Sequence, residues 1–207
     1  MEATKMRKVI VLLSGGADSV ATAIKLHEEN WDVVGLFFKY GQPNYSAELH
    51  LAASCAGLLG TQVYEEKLNI LRVKLHEWKE NEDAFVPLRN TLFLVAGAAF
   101  AVKHNADAVA IGFMKQDTAF FDNSVEHHKL IEDLVSRSSG RKIEILMPWA
   151  DKTKKDVMKF LQDRKVETVS CWNAKWSYIT KQFQVCGKCA NCRERIDAEF
   201  ELEETRK

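Results

Sequence analysis

The sequence predicts an α/β fold in which a parallel, doubly wound sheet carries helices on both faces. Three observations predict it: strand-like and helix-like segments alternate, the first strand is continuously apolar, and a glycine–serine turn joins that strand directly to a helix. Continuous apolar strands are typical of parallel sheets, which helices cover on both faces. The chain has 207 residues, which suits one domain with a small appendage.

Each element is placed by its own pattern. The first strand is predicted at 7–13, where Val9 to Leu13 are all apolar, and the first helix follows at 18–29. A second strand at 31–38 precedes a helix at 45–59, which Gly60 ends. The remaining predictions are strands at 61–68, 108–112 and 142–147 and helices at 91–104, 125–135, 153–164 and 193–203. The adjacent histidines His127 and His128 are expected at the surface.

The charge balance argues against a general polyanion-binding surface, because 29 basic and 29 acidic residues give a formal net charge of zero. We therefore expect no direct contact with nucleic acid. No apolar run reaches the length of a membrane span, and the first residues lack the apolar core of a signal peptide. These features favour a soluble cytoplasmic protein.

The segment SGGADS, at 14–19, follows the first strand and opens the first helix. Ligands of parallel sheets bind at such carboxyl ends. Gly15 and Gly16 let the backbone approach a ligand closely, and the N–H groups of a helix start attract anions. Ser14 and Ser19 add hydroxyl donors, and Asp18 suits a helix cap or a magnesium-directed carboxylate. A glycine turn with a helix cap is the alternative, but the complete pattern in this setting favours phosphate binding.

Four of the five cysteines lie near the end of the chain. Cys186, Cys189 and Cys192 are spaced by three residues, and Cys171 precedes them. Two overlapping C-x-x-C turns with a fourth thiolate are typical of a tetrahedral, structural zinc site, although four thiolates also suit an iron–sulfur cluster. Cys55 lies apart in an apolar helix, where a buried thiol is expected.

The 14–19 segment resembles the PP-loop of the ATP pyrophosphatases, whose fold is of the adenine nucleotide alpha hydrolase type. These enzymes split ATP between its α- and β-phosphates and transfer AMP to a substrate. The resemblance implies ATP and Mg²⁺ as cofactors and an ATP-binding domain at 1–165. The residues it assigns to the nucleotide are Leu13, Ser14, Gly15, Gly16, Ala17, Asp18, Ser19, Val20 and Ala21.

Together, the loop and the cysteines resemble the 7-cyano-7-deazaguanine synthase (QueC) family over nearly the whole chain. The matching segments are SGGADS, YGQ with Glu48 following, VPLRN, IG with Asp117 and Asp122 following, MPWADKTKKD, SCWN and CGKCANCRERIDAEF. The resemblance implies ATP-dependent adenylation of 7-carboxy-7-deazaguanine. Amination by ammonia then leads, through an amide, to the nitrile used in queuosine-type biosynthesis. The resemblance also implies that the protein is a homodimer.

The same resemblance assigns roles to individual residues. It gives catalytic roles to Asp18, Ser19, Arg89 and Lys154, and substrate contacts to Tyr40, Gln42, Arg89, Asn90, Asp117 and Asp122. It makes residues 166–207 a zinc-binding element whose ligands are Cys171, Cys186, Cys189 and Cys192.

Four departures from the family pattern lie on the acceptor side. Lys39 replaces an aspartate, Pro43-Asn44 replace arginine-histidine, and Leu88 replaces a glycine, where it is expected to reshape the space beside Arg89. The arginine that follows Asp122 in the family is lost. These departures motivate an alternative: a QueC-like ligase that joins the adenylated acid to another amine, such as one on a protein, or stops at the amide. A nucleotide-binding module whose zinc element docks a partner is the third hypothesis.

Overall fold

Five parallel strands form the central sheet of the computed structural model, which describes residues 6–69, 86–114 and 122–204. They are β1 (Lys8–Leu12), β2 (Asp32–Lys39), β3 (Val63–Lys67), β4 (Ala108–Ala110) and β5 (Glu144–Leu146). Their spatial order is β3-β2-β1-β4-β5, and every neighbouring pair is parallel. The predicted parallel, doubly wound sheet is confirmed.

Six helices accompany these strands in the described part of the chain. They are α1 (Ala17–Glu28), α2 (Tyr45–Leu59), α3 (Arg89–Lys103), α4 (Val125–Ser139), α5 (Lys154–Asp163) and α6 (Ala190–Glu204). The sequence located all six but ended α4 four residues early. Gly140, in the left-handed conformation, marks the true end of α4. A short hairpin of β6 (Lys175–Ser177) and β7 (Gln182–Gln184) was not predicted.

β1 is buried on both of its faces, which explains its continuous apolar sequence. Val9 and Val11 point to the face covered by α1, α2, α5 and α6. Ile10 and Leu12 point to the opposite face, covered by α3 and α4. Because successive side chains of a strand alternate between the two covered faces, every position of β1 after Lys8 is buried and apolar.

The position of the site follows from the strand order. The chain leaves β1 towards β2 on one side, and β4 lies on the other side of β1. Such a reversal opens a crevice at the carboxyl ends of the two central strands. The phosphate loop, residues 14–19, follows β1, and Gly112 follows β4 beside it.

The C-terminal segment packs on the sheet domain. Trp176 of β6 stacks on His50 of α2, with ring centroids 3.9 Å apart. Ala198 and Leu202 of α6 enter the main core. The cysteines form a separate small cluster with Ala47 and Ala174. The boundary between 165 and 166 stays a prediction.

The expectation that His128 lies at the surface is wrong. Its side chain is fully buried on the inner face of α4, together with Ile131 and Val135. The ring packs edge-on against Phe113, with centroids 4.7 Å apart. Burial lowers the pKa of His128 to about 4, so the imidazole is neutral near pH 7. The spacing of 128, 131 and 135 is the helical period, which the polar character of histidine obscured.

We predict that Leu88→Gly stabilises the protein. Leu88 precedes α3 with φ +60°, a left-handed conformation that costs a leucine about 1–2 kcal/mol, and its side chain is 63% exposed. Glycine relieves this strain, so the free energy of unfolding in urea should rise by about 1 kcal/mol. The matched control is Leu130→Gly at an exposed position within α4, which should lower it by about 1 kcal/mol. Equal losses in both variants would refute the strain at Leu88.

Candidate active site

A cavity of about 440 Å³ opens at the carboxyl end of the sheet. The phosphate loop forms one wall, and residues that follow β2, together with the start of α3, form a second. Lys154 of α5 and residues of the C-terminal segment complete the lining. The cavity thus brings together segments from most of the chain's length.

The phosphate loop is held in shape by its own hydroxyl groups. The Ser14 N–H donates to the Ser19 hydroxyl oxygen at 3.2 Å, and the Ser19 hydroxyl donates to the carbonyl of Gly16 at 3.0 Å. Gly16 caps α1 without a side-chain hydrogen bond, and Gly16, Ala17 and Asp18 line the cavity. The first turn of α1 therefore presents backbone N–H groups at the cavity, which suits an anion.

Four of the nine residues assigned to the nucleotide do not line the cavity. Leu13, Val20 and Ala21 lie in the main core. Gly15 lies against α2 with φ +80°, and a Cβ there would come within 2.4 Å of the Glu48 carbonyl oxygen. These four residues pack against the core or α2 and support the loop, and their assignment to the nucleotide stays a prediction.

Lys154 is the buried cation of the cavity. It is the first residue of α5, and the capping box of Thr153 and Asp156 fixes the start of that helix. Its Nζ donates to both Asp18 carboxylate oxygens, at 2.8 and 2.9 Å, and lies 3.4 Å from Glu194 Oε2. One cation and two carboxylates thus lie beside the N-terminus of α1.

Glu48 is a cavity residue to which the sequence analysis gave no role. Its carboxylate accepts hydrogen bonds from Gln42 Nε2 at 3.2 Å and from Asn44 Nδ2 at 3.0 Å. Gln42 is itself buried, and its side-chain amide accepts from the Tyr40 N–H and donates to the Phe38 carbonyl, both at 2.9 Å. Gln42 lines the cavity, but its amide positions the end of β2 and Glu48.

Two titratable groups have shifted pKa values here. Desolvation raises the pKa of Glu48 from 4.5 to about 7, against the lowering by its amide donors and by Arg89. Desolvation and the charge of Glu48 raise the pKa of Tyr40 to about 12. Tyr40 is therefore a hydroxyl donor at neutral pH, and Glu48 exchanges between its two forms.

Aromatic side chains line the remainder of the cavity. Phe38 stacks on Phe93 with centroids 4.8 Å apart, and Tyr40 meets Phe93 edge-on at 5.3 Å. The Arg89 guanidinium lies 5.8 Å from the centre of the Trp172 ring. These groups offer flat apolar faces beside a cation, which suits a planar, anionic ligand.

Asp122, one of the two acidic residues expected at the substrate, does not face the cavity. The Asp122 carboxylate accepts from the backbone N–H groups of Asn90 at 2.8 Å and Thr91 at 3.4 Å, and it does not line the cavity. The Asp122 carboxylate thus caps the N-terminus of α3, and this helix start places Arg89 and Asn90 in the cavity lining. Asp117 lies outside the described residues. Leu88 is exposed and does not reshape the cavity.

The four predicted cysteine ligands converge. The sulfur atoms of Cys171, Cys186, Cys189 and Cys192 all lie within 4.8 Å of one another. Cys171 and Cys186 are 3.5 Å apart, close to the edge of about 3.8 Å that four Zn–S bonds of 2.3 Å define in a tetrahedron. Backbone N–H groups of Asn173 and Cys186 donate to Cys171 Sγ at 3.3 Å, as suits a thiolate. The donor set fits one tetrahedral metal ion.

We predict that Glu48 makes stability depend on pH. A carboxyl whose folded pKa is raised stabilises the fold below its unfolded pKa of 4.5, and this contribution is lost as the pH rises through about 7. Urea unfolding below and above this window should show a larger loss for the wild type than for Glu48→Gln. The exposed carboxylate of β3, in Glu65→Gln, is the control and should follow the wild type. Parallel curves for wild type and Glu48→Gln would contradict the raised pKa.

The family model described as Queuosine biosynthesis protein QueC matches residues 8–78 and 57–203. A protein from Nitratiruptor sp. named 7-cyano-7-deazaguanine synthase is 28% identical over 91% of this chain and 92% of its own. One of the same name from Sulfurovum sp. is 27% identical over 92% of each chain. A third, from Saccharolobus solfataricus, is 27% identical over 93% of this chain but 45% of its own. Nothing in these comparisons favours the ligase alternative.

A solved structure supports the fold. The U34-tRNA thiolase NcsA from Methanococcus maripaludis, solved with its [4Fe-4S] cluster, superposes with a TM-score of 0.60. The match covers 96% of this chain and 67% of that one at 16% identity, so it concerns the fold alone. Since the family model spans almost the whole chain, from the phosphate loop to the cysteines, this protein belongs to the QueC family.

Proposed function

We propose that this chain is a 7-cyano-7-deazaguanine synthase, an AMP-forming carbon–nitrogen ligase that uses ATP and ammonia. The observation that carries the proposal is the meeting of the S-G-G-x-D-S loop with Lys154 in one cavity of a QueC-family chain. The named relatives support the identity of the acid, 7-carboxy-7-deazaguanine.

The phosphate side would activate the acid. A substrate carboxylate oxygen attacks the α-phosphorus of ATP, and the bond to the β-phosphate oxygen breaks, giving an acyl adenylate and pyrophosphate. The charge on the transferring group needs N–H donors and cations more than a nucleophilic side chain. The N–H groups of the first turn of α1, the Ser14 hydroxyl and the Lys154 ammonium supply donors and charge, while the Ser19 hydroxyl keeps the loop in shape through its bond to the Gly16 carbonyl. Asp18 would hold Mg²⁺, which neutralises phosphate charge when bound.

The aromatic side of the cavity would bind the acid. Phe93 and Tyr40 offer apolar surface to the planar ring, and Arg89 offers a guanidinium fork to its carboxylate. Asn90 adds an amide on the same helix start. This arrangement brings the carboxylate towards the phosphate loop. Ammonia then displaces AMP to give the amide, and a second ATP activates the amide oxygen before loss of AMP leaves the nitrile.

The C-terminal element, residues 166–207, would hold one structural Zn²⁺ through its four cysteines. Sulfur atoms this close suit one ion, whereas the thiolates of a [4Fe-4S] cluster each bind a different iron and are held farther apart. The ion would fix the start of α6, from which Asn191 and Glu194 reach the cavity.

We further propose a homodimer in the cytoplasm. Within the described residues, none of the helices combines the length and apolar character that a membrane span requires.

The function is tested by incubating the protein with ATP, 7-carboxy-7-deazaguanine and ¹⁵N-ammonium and analysing the products by mass spectrometry. We expect AMP, pyrophosphate and the labelled nitrile. Lys154→Ala should lower the rate of pyrophosphate release by about 10²-fold or more, because it removes a buried donor from the charged transition state. Lys152→Ala, two residues earlier and exposed, is the matched control and should react like the wild type.

The products separate the possible failures. An arrest at the labelled amide, or transfer of the acid to a protein amine, would replace the synthase with the ligase alternative. Absence of AMP in the wild type would remove the assignment altogether. Normal pyrophosphate release by Lys154→Ala would remove Lys154 from the phosphate site.

We predict that the isolated protein contains one zinc ion per chain. Cys186→Ser should lose the ion and lower the free energy of unfolding, since metal binding contributes folding energy in such sites. Cys186 is only half-buried, so the loss reports on the metal more than on packing. Cys55→Ser changes a buried thiol outside the cluster and should keep the ion. Elemental analysis measures both; iron with visible absorbance, or a stable metal-free wild type, would refute zinc.

A further inference from the structure

We propose that Glu48 is the general base that takes a proton from ammonium, so that ammonia can attack the acyl adenylate. This inference rests on the proposed function and names the amine site within the same cavity. The first argument is position: the backbone of Glu48 lies directly against Gly15 of the phosphate loop, and its side chain reaches towards the wall that carries Tyr40 and Arg89. In the proposed function the reacting carbon lies between the α-phosphate of ATP and Arg89, and Glu48 lines the same cavity as both binding regions.

The second argument is the way the carboxylate is held. Gln42 Nε2 donates to one oxygen and Asn44 Nδ2 to the other, so one donor lies on each side and the group cannot rotate freely. Each carboxylate oxygen has a second lone pair, and Glu48 lines the cavity. A small cation with several N–H donors, such as ammonium, matches an oriented carboxylate of this kind.

The charged surroundings are consistent with proton transfer. The titratable groups that interact electrostatically with Glu48 are the Tyr40 hydroxyl and the Arg89 guanidinium. Asp18, Lys154 and Glu194 line other parts of the cavity. Desolvation places the pKa of Glu48 at about 7, where a base is deprotonated enough to accept a proton and acidic enough to release it.

The proton balance is complete without a further reactant. Glu48 takes one proton from ammonium, and the lone pair of the ammonia formed makes the new C–N bond. The tetrahedral intermediate gives its second proton to solvent water in the open cavity, the C–O bond to the phosphate breaks, and AMP leaves with that electron pair. Glu48 returns its proton to solvent through the cavity mouth before the next cycle.

The test separates the two half-reactions in the holoenzyme. With ammonium as the amine, Glu48→Gln should lower amide formation by about 10²-fold, the usual contribution of a general base. Pyrophosphate release in the same reaction should fall far less. Hydroxylamine is a weaker base and is largely neutral near pH 7, so it should restore attack on the acyl adenylate in Glu48→Gln. Glu65→Gln, which neutralises an exposed carboxylate outside the cavity, is the control.

A wild-type measurement keeps the proposal testable should Glu48→Gln fold poorly. At saturating ammonium the rate of amide formation should rise through a pKa near 7, and this rise should vanish with hydroxylamine. Equal losses of both half-reactions in Glu48→Gln, no rescue by hydroxylamine, or identical wild-type profiles for the two amines would overturn the role. A wild type that releases no pyrophosphate with this acid would instead refute the proposed function.

Discussion

The close approach of three backbone segments at the end of β1 determines the rest of the site. Gly15 meets the carbonyl of Glu48, and a Cβ on Gly112 would lie 2.6 Å from the Asp18 carbonyl carbon. Any side chain at either position would push α2 or the end of β4 away from the phosphate loop. Because both contacts are made, the start of α1 is fixed between its neighbours, and one cavity forms instead of separate surface turns.

The phosphate side of the cavity could be predicted from the sequence because the residues that form it are close together in the chain. A buried strand, two glycines and a helix start lie within twenty residues, and the hydroxyls of Ser14 and Ser19 bond within that stretch. The cysteine cluster was readable for the same reason, since three ligands share one spacing. Lys154 was assigned through the resemblance, although its partner Asp18 lies 136 positions away.

The acceptor side was harder to predict because it depends on contacts between distant segments. Asp122 looks like a ligand-binding carboxylate in the sequence, but its position after β4 brings it to the start of α3, where unpaired N–H groups require an acceptor. Glu48 looks like an ordinary first-turn acid of a helix. Its role depends on Gln42 and Asn44 being close in space and on the desolvation that surrounds it, and neither is visible in a linear pattern.

The departures from the family pattern are located around the cavity more than in it. Lys39 lies over the Tyr45 ring, and Leu88 is exposed, so neither lines the cavity. Asn44 is the departure with a direct connection to the site, since its side chain joins Glu48 to the carbonyl of Cys171 at 3.3 Å. An amide there supports a carboxylate without adding charge, whereas a cation would favour its ionised form and lower its pKa. The hydrogen bond from Asn44 therefore lowers the pKa of Glu48 without adding a charge and links Glu48 to the metal-binding element, while the groups proposed to bind ATP are left in place.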